Sequence, residues 1–237
     1  MHWALGILAA TAGYAVGSIP FAWIIARIVD RNKPLQPIRL QIPGSERELT
    51  SDAVSATAVR LQFGARYGCL TSLLDMAKAA GITLLFQRLY PGQSLHLIAA
   101  GCTVVGHIWP LFHRFRGGRG QSPIIGSLFV IDWPAALVVY PAAQLLGLVT
   151  GLRSYVGRLA PMLLLAGWFG YRFGDLDHIL FAMALFVVRV VAMQDEIRQY
   201  ATLRREGALS SLRDELNLLQ AGESLGRFFR RFRRNRR

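Results

Sequence analysis

The sequence predicts an all-α polytopic membrane protein of about seven transmembrane helices, with the N-terminus outside and the C-terminus cytoplasmic. Three observations predict it. The chain of 237 residues is 53% apolar and only 17% charged, against about 25% charged in soluble domains. Apolar runs, uncharged or nearly so, recur from the N-terminus to residue 193. The lysines and arginines sort by side: with the N-terminus outside, the inner segments 27–68, 113–120, 152–158 and 194–237 carry seven, three, two and eleven. The outer side keeps Arg88 and Arg172, while Lys78 and Arg189 fall within helices. That asymmetry is what the positive-inside rule requires. It also gives most of the net charge of +13 a topological origin, so nucleic acid is not the expected partner.

A spanning helix needs about 20 apolar residues, fewer where neighbours bury its ends. The runs are 4–28, 69–88, 94–113, 119–131, 134–151, 157–172 and 177–193. The start of the chain has no basic region and no small-residue cleavage pattern before Arg27, so the first run is read as a retained helix. Within it, Gly13 and Gly17 are four apart, a spacing that lets another helix approach closely. Pro20 is expected to kink it.

Residues 30–68 form the longest inner loop, broken by Pro34, Pro37 and Pro43. Its second half, from Thr50 to Arg60, is small and polar. Such stretches are commonly plain loops or helix starts, but hydroxyl groups and Arg60 suit a phosphorylated ligand. The second helix carries Asp75 and Lys78 three apart on one face. Ionisable groups there pair with each other or face a polar cavity, and the spacing allows either. Cys69 and Cys102 have neither a CxxC partner nor a nearby histidine and read as small apolar residues. No metal-ligand cluster, nucleotide-binding glycine motif or Ser-His-Asp pattern occurs, so neither metal nor cofactor is expected.

The stretch from Gly106 to Gln121 carries the strongest chemical signal. An apolar run ends in Trp109-Pro110, a loop follows with Arg114, Arg116, Arg119, Gly117, Gly118 and Gly120, and another apolar run begins. Glycines tolerate positive φ, so successive N–H groups can turn towards an anion. A helix starting just afterwards adds its positive end. An arginine-bearing cytoplasmic turn is the plainer reading. His107, beside the loop, reads as a hydrogen-bonded structural residue.

The tail carries Leu209, Leu212, Leu216 and Leu219 at helical spacing, then Leu225, Phe228, Phe229 and Phe232 among arginines up to Arg237. A basic amphipathic segment of this kind lies on anionic membrane lipid. The chain therefore divides into a transmembrane part, 1–193, and a cytoplasmic tail, 194–237.

Three stretches together resemble the bacterial acyl-phosphate:glycerol-3-phosphate acyltransferases of the PlsY type. Gly13-Tyr14…Gly17-Ser18-Ile19-Pro20-Phe21 is close to the family's GYxxGSIPF. Ala56-Thr57, Gly64, Gly68 and Leu74-Asp75…Lys78 echo the family's first site motif and the helix after it. Gly106-His107…Pro110…Phe112…Phe115-Arg116-Gly117-Gly118-Arg119-Gly120 matches GHxFPxFxxFxGGKG. The resemblance covers residues 13–126 and continues beyond only as helix count.

It implies seven spans, an active site at the cytoplasmic face, and acyl transfer from acyl phosphate to glycerol 3-phosphate without cofactor or metal. On that reading Ser51 and Arg60 are the catalytic candidates. Thr57, Lys78, His107, Arg116, Gly117, Gly118, Arg119 and Gly120 are the candidates for binding phosphate and substrate. The departures are specific. Ala53 and Ala58 stand for two asparagines, and the motif arginine falls on Leu61, one place after Arg60. Arg119 replaces the loop lysine, Gln121-Ser122-Pro123 replaces Val-Ala-Thr, and Gly157 stands for a serine. The third motif, HRxNI, is not matched: after the last run comes Gln194-Asp195-Glu196-Ile197-Arg198, with neither histidine nor asparagine. A non-catalytic protein that binds phosphorylated lipid or acyl phosphate is the alternative those losses favour. A small-anion transporter is a third reading, without an internal repeat to support it.

Overall fold

The structure, a computed structural model, describes residues 2–41, 48–150 and 153–206. The tail stripes at Leu209–Leu219 and Leu225–Phe232 lie outside the described residues. Among the described residues nine α-helices and one two-stranded ribbon follow in chain order: α1 His2–Gly17, α2 Phe21–Val29, β1 Ile38–Gln41, β2 Glu48–Ser51, α3 Ala56–Phe63, α4 Ala65–Leu89, α5 Leu95–Ile108, α6 Gln121–Ile131, α7 Trp133–Val149, α8 Arg153–Arg172 and α9 Leu176–Arg205. Each of the seven apolar runs is mainly helical over its described residues. Four segments among the described residues are long and apolar enough to cross a membrane: Trp3–Val29, Ala65–Leu89, Leu95–His113 and Leu176–Arg205.

The first run is two helices. Pro20 lacks an N–H, and Gly17-Ser18-Ile19-Pro20 leaves carbonyls that α1 cannot satisfy. The Lys78 ammonium takes two of them, Gly17 O at 3.0 Å and Ile19 O at 2.7 Å. The close approach expected from Gly13 and Gly17 is made by α5. A methyl group at Gly13 would fall 2.3 Å from Ala99 O, and one at Gly17 would fall 2.2 Å from Thr103 O. Gly106 on α5 answers them, its Cβ position 2.3 Å from Tyr14 O. Thr103, fully buried, donates to Gly13 O at 3.1 Å and Ala99 O at 2.7 Å. Backbones this close gain packing that apolar side chains on two helices in lipid do not provide.

The described part of the loop at 30–68 corrects the all-α expectation. β1 and β2 pair antiparallel, Ile38 opposite Ser51 and Gln41 opposite Glu48. Ile38-Arg39-Leu40-Gln41 and Glu48-Leu49-Thr50 do alternate apolar and polar residues, but over so few positions, among Pro34, Pro37 and Pro43, that the pattern does not read as strand. After them Ser55 caps α3, accepting from the Ala58 N–H at 3.3 Å. Gly64, at φ 105°, turns the chain into α4. α9 also exceeds its apolar run: it continues past residue 193 to Arg205 and carries the helix through the boundary drawn there from hydropathy.

The main core joins α5, α6, α7, α8 and α9 through Val104, Ile124, Leu128, Ala135, Met162, Leu165, Phe169 and Leu185, all 1% exposed or less. A second patch packs α1 on α4 and α5. Together they fix the ends of α4, α5, α6 and α9 around one polar cavity.

Candidate active site

Four elements bring the polar residues together. β2 is tied to α9 by the Gln199 side-chain amide, which accepts from Thr50 N at 3.0 Å and donates to Thr50 O at 3.1 Å. That clasp delivers the next residue, Ser51, against Glu196 three residues earlier on α9. The Ser51 hydroxyl donates to Glu196 Oε1 at 2.5 Å. Arg119, at the end of the glycine loop, donates through Nε to the same oxygen at 2.8 Å and through Nη2 to Ser51 Oγ at 3.2 Å. Arg158 on α8 donates to Glu196 Oε2 at 2.8 Å. Glu196 is 3% exposed, so its charge is balanced by the two guanidiniums.

These groups line a cavity of about 470 Å³ with Thr57, Asp75, His107, Gly120, Ser122, Arg189 and Met193 among its other walls. The volume lies in the range of small-ligand sites. α6 opens onto it through Gly120, Gln121 and Ser122. Pro123 falls in the first turn of α6, where a missing N–H costs no helical bond. The positive end of α6 therefore faces the cavity. Ser122 and Ser72 hydroxyls, 2.9 Å apart, join α6 to α4 at its edge.

Of the residues singled out in the sequence, Ser51, Thr57, His107, Arg119 and Gly120 line the cavity. Lys78 does not: it makes the ion pair with Asp75 at 2.8 Å while holding the break between α1 and α2. His107 Nδ1 sits 3.3 Å from both Asp75 Oδ1 and Lys78 Nζ, joining that pair to the cavity wall. Arg60 is half-buried on α3, its Cβ against the place a side chain on Gly68 would need. Arg116 is exposed.

The glycine loop works differently from the expectation. Gly120 alone among the loop's glycines has positive φ, at 78°, while Arg114 and Phe115 take the left-handed turn at 51° and 59°. Gly117 and Gly118 serve close approach. A methyl group on Gly117 would fall 2.1 Å from His107 O, and one on Gly118 would fall 2.2 Å from His107 Nε2. The Gly118 N–H donates to His107 O at 3.1 Å, and Gly117 O accepts from Val54 N at 2.9 Å. The amide of Gly118 thus braces the loop instead of facing the cavity.

Sequence reasoning missed Glu196, Arg158 and Arg189 as site residues. A signal existed. Arg189, Met193 and Glu196 follow i, i+4, i+7 on one helix, which puts them on one face. Registering the last residue of HRxNI on Ile197 places Met193 and Glu196 where the pattern has histidine and asparagine. The motif is changed in chemistry, but its positions still face the cavity.

Comparison with known proteins shows the family and the fold that carry this geometry. The family model for glycerol-3-phosphate acyltransferase matches residues 7–202. A glycerol-3-phosphate acyltransferase of Cereibacter sphaeroides is 34% identical over 158 residues, covering 65% of this chain and 71% of the relative. One from Gluconobacter oxydans is 31% identical over 164 residues, covering 68% and 71%. The fold is similar to crystal structures of PlsY, an integral membrane glycerol 3-phosphate acyltransferase, at 20% identity, covering 84% of this chain and 93% of that one. The TM-score is 0.68 for the glycerol 3-phosphate form and 0.65 for the lysophosphatidic acid form. With the family model matched over most of its length, the chain belongs to the glycerol-3-phosphate acyltransferase family.

Proposed function

We propose that this membrane protein transfers an acyl chain from acyl phosphate to glycerol 3-phosphate, making lysophosphatidate. The proposed setting is the bacterial plasma membrane, with seven spans, the N-terminus outside, the cavity facing the cytoplasm and the basic tail on anionic lipid. The observation that carries the reading is the cavity that gathers a serine hydroxyl, three arginines and the positive end of α6.

The chemistry asks for orientation and positive charge more than for a strong base. The acceptor hydroxyl oxygen bonds to the acyl carbon, the bond from that carbon to the phosphate oxygen breaks, and the hydroxyl proton leaves with the departing phosphate. Arg119 and Arg158 stabilise charge on the phosphates, and α6 adds its N-terminal field. Ser51 orients the hydroxyl or the carbonyl. Thr57 and His107 shape the wall, and Gly120 admits the ligand at the helix start. Lys78, Gly117 and Gly118 support from behind: the ammonium fixes the α1–α2 break and the glycines clamp the loop on His107. Arg60 and Arg116 supply positive charge beside the site.

The test is purified protein with radiolabelled glycerol 3-phosphate and palmitoyl phosphate. Lysophosphatidate is expected from the wild type and its loss from Arg119→Ala. Undiminished transfer by Arg119→Ala overturns the assignment.

One observation favours a second reading, a non-catalytic protein that binds acyl phosphate or phosphorylated lipid. Glu196 already engages Ser51, Arg119 and Arg158. Turnover by the wild type with any acyl donor removes that reading.

A further inference from the structure

Three guanidiniums reach the cavity, and their charges are balanced unequally. Arg119 and Arg158 share the carboxylate of Glu196. Arg189 makes no ion pair with it. It is 2% exposed and lines the cavity. Among the described residues no carboxylate makes an ion pair with it, and its Nε has no hydrogen-bond partner. Its remaining contacts are long: Nη1 to the Arg119 carbonyl at 3.3 Å, and Nη2 to Met193 Sδ, a weak acceptor, at 3.6 Å.

A charge removed from water without a counterion is costly. An ionisable residue within a membrane helix that faces a cavity marks a ligand path. The other acid on the cavity wall, Asp75, is committed to Lys78 at 2.8 Å. With Glu196 set against one arginine, the wall keeps an excess of two positive charges, which matches a phosphate dianion.

We infer that Arg189 is a substrate-binding residue that takes a terminal phosphate directly in its guanidinium fork. This rests on the reading of the cavity as the acyltransfer site. It also accounts for the changed third motif: the pattern's histidine and asparagine give way to Met193 and Glu196, and an arginine four residues before Met193 supplies the positive charge. The phosphate belongs to the acyl donor or to glycerol 3-phosphate, which share this chemistry.

The experiment compares wild type, Arg189→Met and Arg189→Lys in detergent. Melting is followed with and without inorganic phosphate, and KM is measured separately for palmitoyl phosphate and glycerol 3-phosphate. Arg189→Met is expected to melt no lower than wild type without ligand, because it removes an unbalanced buried charge. It is expected to lose the rise in Tm that phosphate gives the wild type. Its KM for one substrate rises roughly 10- to 100-fold, the range for one charged hydrogen-bonding group, and Arg189→Lys recovers part of that. The substrate whose KM moves is the source of the phosphate.

A lower melting temperature for Arg189→Met with both KM values and the phosphate response unchanged overturns the inference. It makes Arg189 a brace for the Arg119 carbonyl. If Arg189→Met does not fold, Arg189→Lys decides by the same KM and phosphate criteria. Should the wild type make no lysophosphatidate, yet respond to phosphate while Arg189→Met does not, the anion site stands and the acyltransfer reading falls.

Discussion

Replacing Glu196 by glutamine tests whether one carboxylate holds the site together. The side chain keeps its length and loses its charge. Glutamate accepts from Ser51, Arg119 and Arg158. Glutamine has one acceptor oxygen, and its NH2 must then face a guanidinium or the serine hydroxyl. Charged hydrogen bonds contribute about 1.5–3 kcal/mol each. The Arg119 and Arg158 side chains are 28% and 34% exposed, so water restores part of what they lose. A net cost of about 3 kcal/mol follows, at the low end for breaking a buried ion pair. For a chain of this size about 1 kcal/mol moves Tm by 2–4 °C, so Glu196→Gln should melt roughly 6–12 °C lower. The five tryptophans give the signal, in detergent without phosphate. A fall below about 2 °C would refute the reasoning, since it equates to less than one net hydrogen bond.

Two further outcomes are expected. Gly17→Ala forces α1 off α5 through the 2.2 Å approach to Thr103 O, lowering stability by about 1–3 kcal/mol. Gly6→Ala, with nothing within 4 Å of its Cβ, should melt as wild type and serves as control. Lys78→Met strands the 1%-exposed Asp75 and two carbonyls, at about 3–5 kcal/mol. Asp75→Asn in the same chain should recover part of that loss, and a double-mutant cycle by thermal melting measures it.

Much of the fold was legible because a bilayer narrows the choices. Every apolar run proved helical, since backbone groups in lipid satisfy one another in helices. Gly13 and Gly17 announced a close helix contact, though not that α5 and Gly106 made it. The Asp75–Lys78 spacing allowed either an ion pair or a ligand-facing ammonium, and the carbonyls of Gly17 and Ile19 that hold the ammonium in the pair could not be read from it. The site was less legible. Ser51 and Glu196 are 145 positions apart, and only the fold brings them together. Glu196 was passed over because the expected pattern has asparagine there, yet an acid between Arg119 and Arg158 serves the opposite electrostatic need. The ribbon of β1 and β2 was hidden by the prolines around it, and its anchor, Gln199, is a half-buried polar residue like many others.

The shortness of α6 bears on the surrounding lipid. At 1.5 Å per residue, its 11 residues rise about 16 Å, against roughly 30 Å of hydrocarbon in a bilayer. Its neighbour reaches further, since the segment Leu95–His113 is long enough to cross. In the proposed topology the start of α6 at the glycine loop lies at headgroup depth, and its far end stops inside the bilayer. A donor then keeps its phosphate at that helix start while its tail stays in the leaflet, so transfer needs no extraction of the chain into water.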